Sequence, residues 1–199
     1  YAQAQSADSS SLGAAYVIKR INNISQPDDL IVASYVARPH SQDEFNKNLF
    51  MLADYYNAKI GFENDRGDVI AYARRHRKLH RLQEEFEMLD KKDLRSRTVK
   101  RQYGMHMTEA RKRQGEIYMR DWLNTIRSTD EEGKQTLNMH KIYDLALLQE
   151  LIKFNHSGNF DRGMALMVGM YHTRELYNAE VKEVLEDRSA DDWFNNNHY

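Results

Sequence analysis

The chain has 199 residues, of which 41% are hydrophobic and 11% aromatic, so it can bury one sizeable core and a single domain is the simplest organisation. It has no cysteine, which excludes disulfide scaffolds, thiolate nucleophiles and cysteine-ligated zinc and fits a reducing, intracellular compartment. No apolar run approaches the roughly 18 residues of a membrane span, and no basic region precedes an apolar stretch at the N-terminus, so we expect a soluble, unsecreted protein.

The formal net charge of −1 hides an uneven distribution of charge along the chain. Residues 74–113 hold 14 Lys and Arg against 6 Asp and Glu, whereas residues 177–199 hold 6 acidic and 2 basic residues. The basic segment can bind a polyanion such as nucleic acid, whereas the acidic C-terminal segment would repel one. We therefore expect one domain over residues 1–176 and an acidic tail over residues 177–199.

The first element predicted along the chain is an antiparallel hairpin. Residues 14–21 and 30–37 are rich in Val, Ile and Tyr, which favour strands, and a turn sequence at residues 26–29 lies between them. Pro39 ends the second strand.

A helix and a buried strand are predicted next. Ser41 and Glu44 have the spacing of a capping box ahead of apolar residues that repeat at helical intervals. Residues 59–63 are nearly all apolar, as is typical of a strand inside a sheet with helices on its faces. Residues 69–73 predict a short helix that runs into a basic block.

The second half of the chain predicts a long loop followed by three helices. Residues 82–107 are polar and poorly periodic, which indicates a loop or insertion. Residues 108–126 and 144–154 have helical character, with a connector at residues 129–133 between them. Residues 161–177 carry methionines and other apolar residues nearly all round, so we expect this helix to be deeply buried and its methionines to be core packing.

Two acidic residues stand at the ends of predicted elements, far apart in the chain. Glu63 closes the apolar strand and Asp161 opens the buried helix. Two-metal hydrolysis of a phosphodiester needs carboxylates from separate elements, and carboxylate oxygens suit Mg²⁺ or Mn²⁺. In the alternative without a metal, Glu63 caps the next turn or pairs with an arginine, and Asp161 caps the helix.

Both acids belong to an ordered series of short segments. These are Tyr35-Val36-Ala37-Arg38-Pro39, Asn48-Leu49-Phe50, Tyr55-Tyr56-Asn57-Ala58-Lys59, Phe62-Glu63-Asn64, Val69-Ile70-Ala71-Tyr72 with Arg74-Arg75-His76, Leu148-Gln149-Glu150-Leu151-Ile152-Lys153-Phe154-Asn155, and Gly158-Asn159-Phe160-Asp161-Arg162 with Ala165-Leu166. In this order, and over most of residues 12–176, they resemble the nuclease domain of phage terminase large subunits.

The resemblance implies an α/β fold with an RNase H-like mixed sheet flanked by helices. It implies an endonuclease that cleaves concatemeric double-stranded DNA during viral genome packaging with two divalent ions, Mg²⁺ or Mn²⁺. The implied partners are DNA, the terminase ATPase domain, the small terminase subunit and the portal, and the implied location is the host-cell cytoplasm of a phage or prophage protein.

The family pattern assigns metal-ligand roles to two residues of this chain. Glu63 matches the acid that closes the inner strand, and Asp161 matches the acid that opens the late helix. The family's first acidic ligand ends the opening strand and has no match, because Tyr1 falls just after that position. We therefore expect the opening strand to be missing or truncated, which bears on whether this chain is active.

Three further residues are secondary candidates for the site. Asp8 stands near the position of the absent ligand, Asp65 is close to Glu63, and His156 precedes Asp161 by five residues. Asp8 and Asp65 also fit ordinary turn chemistry, and His156 also fits a surface loop.

The basic block predicts contacts with DNA phosphates. Its residues are Arg74, Arg75, Arg77, Lys78 and Arg81. Such contacts would position DNA without recognising its sequence. The alternative is a solvated charged face in a chain with 30% charged residues.

Two classes of function remain open from the sequence. The first is the metal-dependent endonuclease, with resolvases and transposases as the nearest enzymatic alternatives. The second is a catalytically silent DNA-binding or docking module of the same fold, which the absent first carboxylate favours. Metal-dependent nicking of DNA separates the two classes.

Overall fold

The computed structural model of the chain describes residues 12–20, 29–64, 68–84, 103–155, 158 and 160–174. These residues form a mixed α/β structure with five α-helices and two small antiparallel sheets. Over the same residues, no helix is both long and apolar enough to cross a membrane.

The predicted hairpin is present. Strand β1 (Gly13–Ile18) pairs antiparallel with β2 (Ile31–Ala37), and the register begins with Gly13 opposite Ala37. Backbone hydrogen bonds at Lys19 continue the pairing beyond β1. Most of the predicted turn at residues 26–29 lies outside the described residues.

Helix α1 (Gln42–Tyr55) follows with the predicted cap. The Ser41 hydroxyl accepts a hydrogen bond from the Glu44 amide at 3.1 Å, which satisfies one of the amides that a helix start leaves without an intrahelical partner. The buried side chains of α1 are Phe45, Asn46, Leu49, Phe50 and Ala53.

The predicted strand at residues 59–63 is extended and lies next to two other extended segments. Ile60 forms a parallel bridge with Leu82, and Glu63 forms one with Met105. Both partners come from the stretch predicted as a long loop, so the described ends of that stretch are paired rather than irregular. Residues 85–102 lie outside the described part of the chain. Helix α2 (Asp68–Arg75) and a short 3-10 helix (Leu79–Arg81) connect these segments.

The second half of the described chain is mainly helical. Helix α3 (Glu109–Leu123) leads into a hairpin of β3 (Ile126–Thr129) and β4 (Gln135–Leu137), which the sequence did not predict. A 3-10 helix (Asn138–Lys141) and α4 (Leu145–Lys153) follow.

Helix α5 spans residues 161–174 and is deeply buried, as predicted. Met167 and Met170 are almost fully buried, which agrees with their prediction as core residues. They pack with side chains of α3 in one core cluster. A second cluster lies between α1, α2 and the segment around Ile60, and its largest fully buried members are Phe45, Phe50 and Phe62.

The described strands do not join into one sheet. β1 pairs with β2, β3 pairs with β4, and the remaining pairing within the described ranges consists of isolated bridges. The α/β class predicted from the sequence is therefore present, and the RNase H-like arrangement of strands stays a prediction.

Candidate functional site

The first predicted ligand, Asp161, is fixed at the beginning of β1. It is the first residue of α5 and is half-buried. Its Oδ2 atom accepts a hydrogen bond of 2.7 Å from the backbone N–H of Leu12, directly before β1. This contact joins residues 149 positions apart in the chain and sets where α5 begins relative to the sheet.

From there α5 runs along β1 and reaches the extended segment that carries Glu63. Ala165 packs with Ala14, and a Cβ atom on Gly169 would lie 2.6 Å from Ile18 Cδ1. A Cβ atom on Gly61 would lie only 1.5 Å from the Nε2 atom of His172, so these two residues are in close contact. The helix therefore connects β1 to the segment that ends at Glu63.

The second predicted ligand, Glu63, lies on the face of its segment that α5 covers. Ile60 and Phe62 are buried in the cluster with α1, and side chains alternate between faces of an extended chain. Gly61 and Glu63 consequently share the opposite face, where His172 packs on Gly61. Asp161 and His172 are separated by about 16 Å along the helix axis, and Glu63 lies two residues beyond the Gly61 contact, so whether the two carboxylates meet stays a prediction.

The described residues supply two of the predicted carboxylate ligands. Oxygen donors from separate elements fit Mg²⁺ or Mn²⁺ in type. Within the described ranges, however, no group of three or more His, Asp or Glu side chains is arranged to hold a metal ion. The secondary candidates Asp8, Asp65 and His156 all lie outside these ranges.

A different acid, Glu150 of α4, caps the start of α5. Its Oε2 atom accepts hydrogen bonds from the amides of Arg162 at 3.0 Å and Gly163 at 3.2 Å. These are amides that a helix start must satisfy from outside the helix. The Asp161 carboxylate accepts a hydrogen bond from the Leu12 amide, and the positive end of the helix dipole also favours an acid at this position.

A network of charged and polar side chains holds Glu150 in place. Arg162 Nη1 lies 3.2 Å from Glu150 Oε1, and Arg162 Nε lies 3.5 Å from Asp144 Oδ2. The side chains of Arg162, Asp144 and Glu150 are only 19%, 20% and 22% exposed. Tyr16 of β1 donates its hydroxyl to Asp144 at 2.7 Å, so the network joins β1, α4 and α5.

The environment of this network shifts the pKa values of Tyr16 and Asp144 in opposite directions. Burial and the neighbouring Asp144 carboxylate raise the pKa of Tyr16. Burial on its own would raise the pKa of Asp144, but the Tyr16 hydroxyl, two backbone amides of α4 and the Arg162 guanidinium outweigh it and lower that pKa. Asp144 is therefore ionised and Tyr16 neutral at physiological pH.

A cavity of about 530 Å³ lies between β1 and the segment before Glu63. Its lining includes Ala15, Val17, Ile60 and Gly61, with His172 of α5 beside them. Burial lowers the pKa of His172 to about 3, so the imidazole is neutral at physiological pH. The cavity has mainly apolar walls.

Three cations of the predicted DNA-binding block are paired with acids of α1. Arg75 lies 2.7 Å from Asp43, Lys78 lies 2.6 Å from Asp54, and Arg81 lies 2.9 Å from Asp54. Hydrogen bonds from Lys78 are the main cause of the lowered pKa of Asp54. These contacts hold the block against α1 and partly neutralise it.

The other two members of the block point to solvent. Arg74 and Arg77 are exposed, and neither forms an ion pair with any described residue. Arg77 has a φ of 56°, in the turn that follows α2. The predicted block therefore contains two cations exposed to solvent and three cations that form ion pairs with acids of α1.

Glu150, Arg162 and Tyr16 were not singled out from the sequence. Asp144 had a local signal, since it stands at the start of a predicted helix where Asp is a common cap. The link from Glu150 to Arg162 spans a break between two helices, and no spacing rule within one helix identifies it. Their meeting with β1 depends on tertiary packing.

In comparisons with known proteins, no family model, no curated protein and no solved structure matched the chain.

Proposed function

We propose that the chain is the nuclease portion of a viral DNA-packaging terminase, with an RNase H-like arrangement of strands, that cleaves concatemeric double-stranded DNA. The ordered series of segments that includes Glu63 and Asp161 supports this proposal. The single observation that carries it is the position of Asp161. Its carboxylate accepts a hydrogen bond from Leu12 at the beginning of β1, while Glu150 accepts from the amide of Arg162.

In this proposal Glu63 and Asp161 hold divalent Mg²⁺ or Mn²⁺ as part of a two-ion site in the family pattern. When bound, the ions would lower the pKa of a coordinated water and stabilise charge on the phosphate oxygens. The residues of the chain would fix the position of the ions and, through Arg74 and Arg77, hold the DNA backbone. The ATPase domain, small subunit and portal are the proposed partners.

The second candidate function is a DNA-binding or docking module without catalytic activity. The observation that favours it is the number of ligands: the described residues supply two carboxylates, and no third acid of the described ranges joins them. A bare pair of carboxylates holds Mg²⁺ weakly unless substrate phosphates complete the coordination.

A nicking assay on supercoiled plasmid decides between these functions. We expect the 199-residue chain to nick DNA with Mn²⁺ or Mg²⁺ and to stop when EDTA is added. Asp161→Asn and Glu63→Gln should each lower the rate by more than about 100-fold, since loss of an outer partner of a metal ligand already costs 10–100-fold.

The matched control is Glu109→Gln, which neutralises an exposed acid of α3 that pairs only with Lys112 among the described contacts. It should nick at the wild-type rate. Activity that persists in Asp161→Asn would contradict the proposal, and DNA binding without nicking under either metal would favour the docking module.

A further inference from the structure

The start of α5 has two acids with different partners. Glu150 Oε2 accepts hydrogen bonds from the backbone amides of Arg162 and Gly163. Asp161 Oδ2 accepts a hydrogen bond from the backbone amide of Leu12. A capping side chain accepts from the second or third amide of a helix, and in α5, which begins at Asp161, these amides belong to Arg162 and Gly163. Here the acid from α4 occupies those amides, and the Asp161 carboxylate extends away from the helix towards β1.

The Glu150 carboxylate is held by contacts from two directions. One oxygen, Oε2, accepts from the two amides of α5, and the other, Oε1, accepts from Arg162 Nη1 at 3.2 Å. The same guanidinium lies 3.5 Å from Asp144, which caps α4 through the amides of Ala146 and Leu147. Arg162 thereby links the start of α5 to the cap at the start of α4.

The charges of this arrangement explain why two acids can share one helix end. The positive end of the helix dipole favours anions at this position. Arg162 balances the Glu150 charge, and at about one-fifth exposure such pairs are shielded from water more than surface pairs are. Removing Glu150 would leave the first-turn amides and Arg162 in need of an acceptor, and Asp161 is the nearest acid in sequence.

We propose that Glu150 is a positioning residue for Asp161: by capping α5 it keeps the Asp161 carboxylate on Leu12 and directed to the candidate metal site. This inference rests on the proposed nuclease function for its catalytic meaning. Without Glu150, the Asp161 carboxylate turns back to the amides of Arg162 and Gly163 and leaves both Leu12 and the site.

Two readouts on the full 199-residue chain test this inference. The first is hydrogen exchange of the Leu12 amide, measured by NMR relative to the amides of β2, which reports the contact with Asp161 without any metal. In Glu150→Ala we expect exchange at Leu12 to rise by at least about tenfold, as in Asp161→Ala. The second readout is the dissociation constant for Mn²⁺, which should rise about 10–100-fold in Glu150→Ala.

Glu150→Gln separates positioning from a general loss of stability. Glutamine keeps an oxygen for the two amides but loses the charge that pairs with Arg162, so it should retain most of the Leu12 protection and most of the Mn²⁺ affinity. Glu109→Ala removes an exposed glutamate from the first turn of α3 and should change neither readout.

The outcomes distinguish failure of this inference from failure of the nuclease proposal. Unchanged Leu12 exchange in Glu150→Ala, relative to β2, would overturn the positioning role whatever the Mn²⁺ result. If the wild-type chain binds no Mn²⁺, or if Asp161→Ala binds it as well as wild type, the nuclease proposal fails. The Leu12 exchange then still decides whether Glu150 positions Asp161.

Discussion

At the scale of single residues, burial of the His172 imidazole makes stability depend on pH. Burial lowers the pKa of His172 from its ordinary 6.5 to about 3. The unfolded chain therefore binds a proton more readily than the folded chain does between these values. The contribution to stability is complete above pH 6.5 and is lost as the pH falls towards 3.

We expect this single group to lower the free energy of unfolding by about 2 kcal/mol between pH 8 and pH 5. Urea unfolding at several pH values measures the effect. His172→Gln should show a correspondingly flatter pH dependence, whereas His40→Gln, at an exposed position, should follow the wild-type curve. Parallel curves for His172→Gln and wild type would show that His172 is not buried in its neutral form.

Gly61 itself gives a packing prediction. A side chain at this position would meet the His172 imidazole at a distance that no real Cβ contact has. Gly61→Ala should therefore lower the free energy of unfolding by about 1–3 kcal/mol through overpacking, because His172 must move. In Gly133→Ala, by contrast, nothing lies within 4 Å of the Cβ position, so any loss of stability there comes from backbone strain at a φ of 82° and not from overpacking. If Gly61→Ala is neutral in thermal unfolding, α5 does not contact this segment closely.

At the scale of elements, Asn138 fixes the β3–β4 hairpin to the end of α3. Its side chain is fully buried, donates to the Trp122 carbonyl at 2.8 Å and accepts from Arg127 Nε. Its own amide donates to Thr125. Because Asn138→Ala leaves buried groups without their partner, it should lower the free energy of unfolding by about 1–3 kcal/mol.

Chemical denaturation measures that loss against Asn124→Ala. Asn124 also donates its side-chain amide to a carbonyl of α3, but it is exposed, so water replaces the lost hydrogen bond and the cost should stay below about 0.5 kcal/mol. Equal effects in the two variants would mean that the hairpin is not held by Asn138.

The contrast between these elements shows what the sequence can predict. The Ser41 cap, the β1–β2 hairpin and the burial of α5 follow from local spacing and periodicity, and each is present. The β3–β4 hairpin was missed because its strands are short and mostly exposed, so they carry no apolar alternation.

Pairing between segments that are distant in the sequence could not be predicted either. Leu82 and Met105 lie in a polar stretch whose composition indicates a loop, and only the approach of Ile60 and Glu63 makes them extended partners. In the candidate site, Glu63 and Asp161 were identifiable as acids at element ends. The acid that caps the first amides of α5 could not be identified from the sequence, because Glu150 belongs to a different helix.

At the scale of the whole molecule, the basic excess of residues 74–113 is reduced where the chain folds back on α1. Asp54 forms ion pairs with both Lys78 and Arg81. Because the shared Asp54 side chain is 41% exposed, these pairs contribute little to stability, and their main effect is on the charge that the surface presents. If the basic block binds DNA phosphates, Asp54 competes with DNA for these two cations.

Asp54→Asn should then strengthen binding to a DNA duplex and steepen its dependence on salt. Each additional phosphate contact contributes about 0.9 to the slope of log affinity against log salt, so release of two cations raises the slope by up to about 1.8. Fluorescence anisotropy with a labelled duplex across a salt series measures both quantities.

Glu131→Gln makes the same change in net charge at an exposed position of the β3–β4 turn, away from the basic block in sequence. A general electrostatic effect would change both variants alike, because net charge acts over the whole surface. A local effect would appear in Asp54→Asn alone, and Arg74→Ala with Arg77→Ala should then lower the slope from the wild-type value. Identical slopes for Asp54→Asn and Glu131→Gln would instead remove Lys78 and Arg81 from the DNA-binding surface.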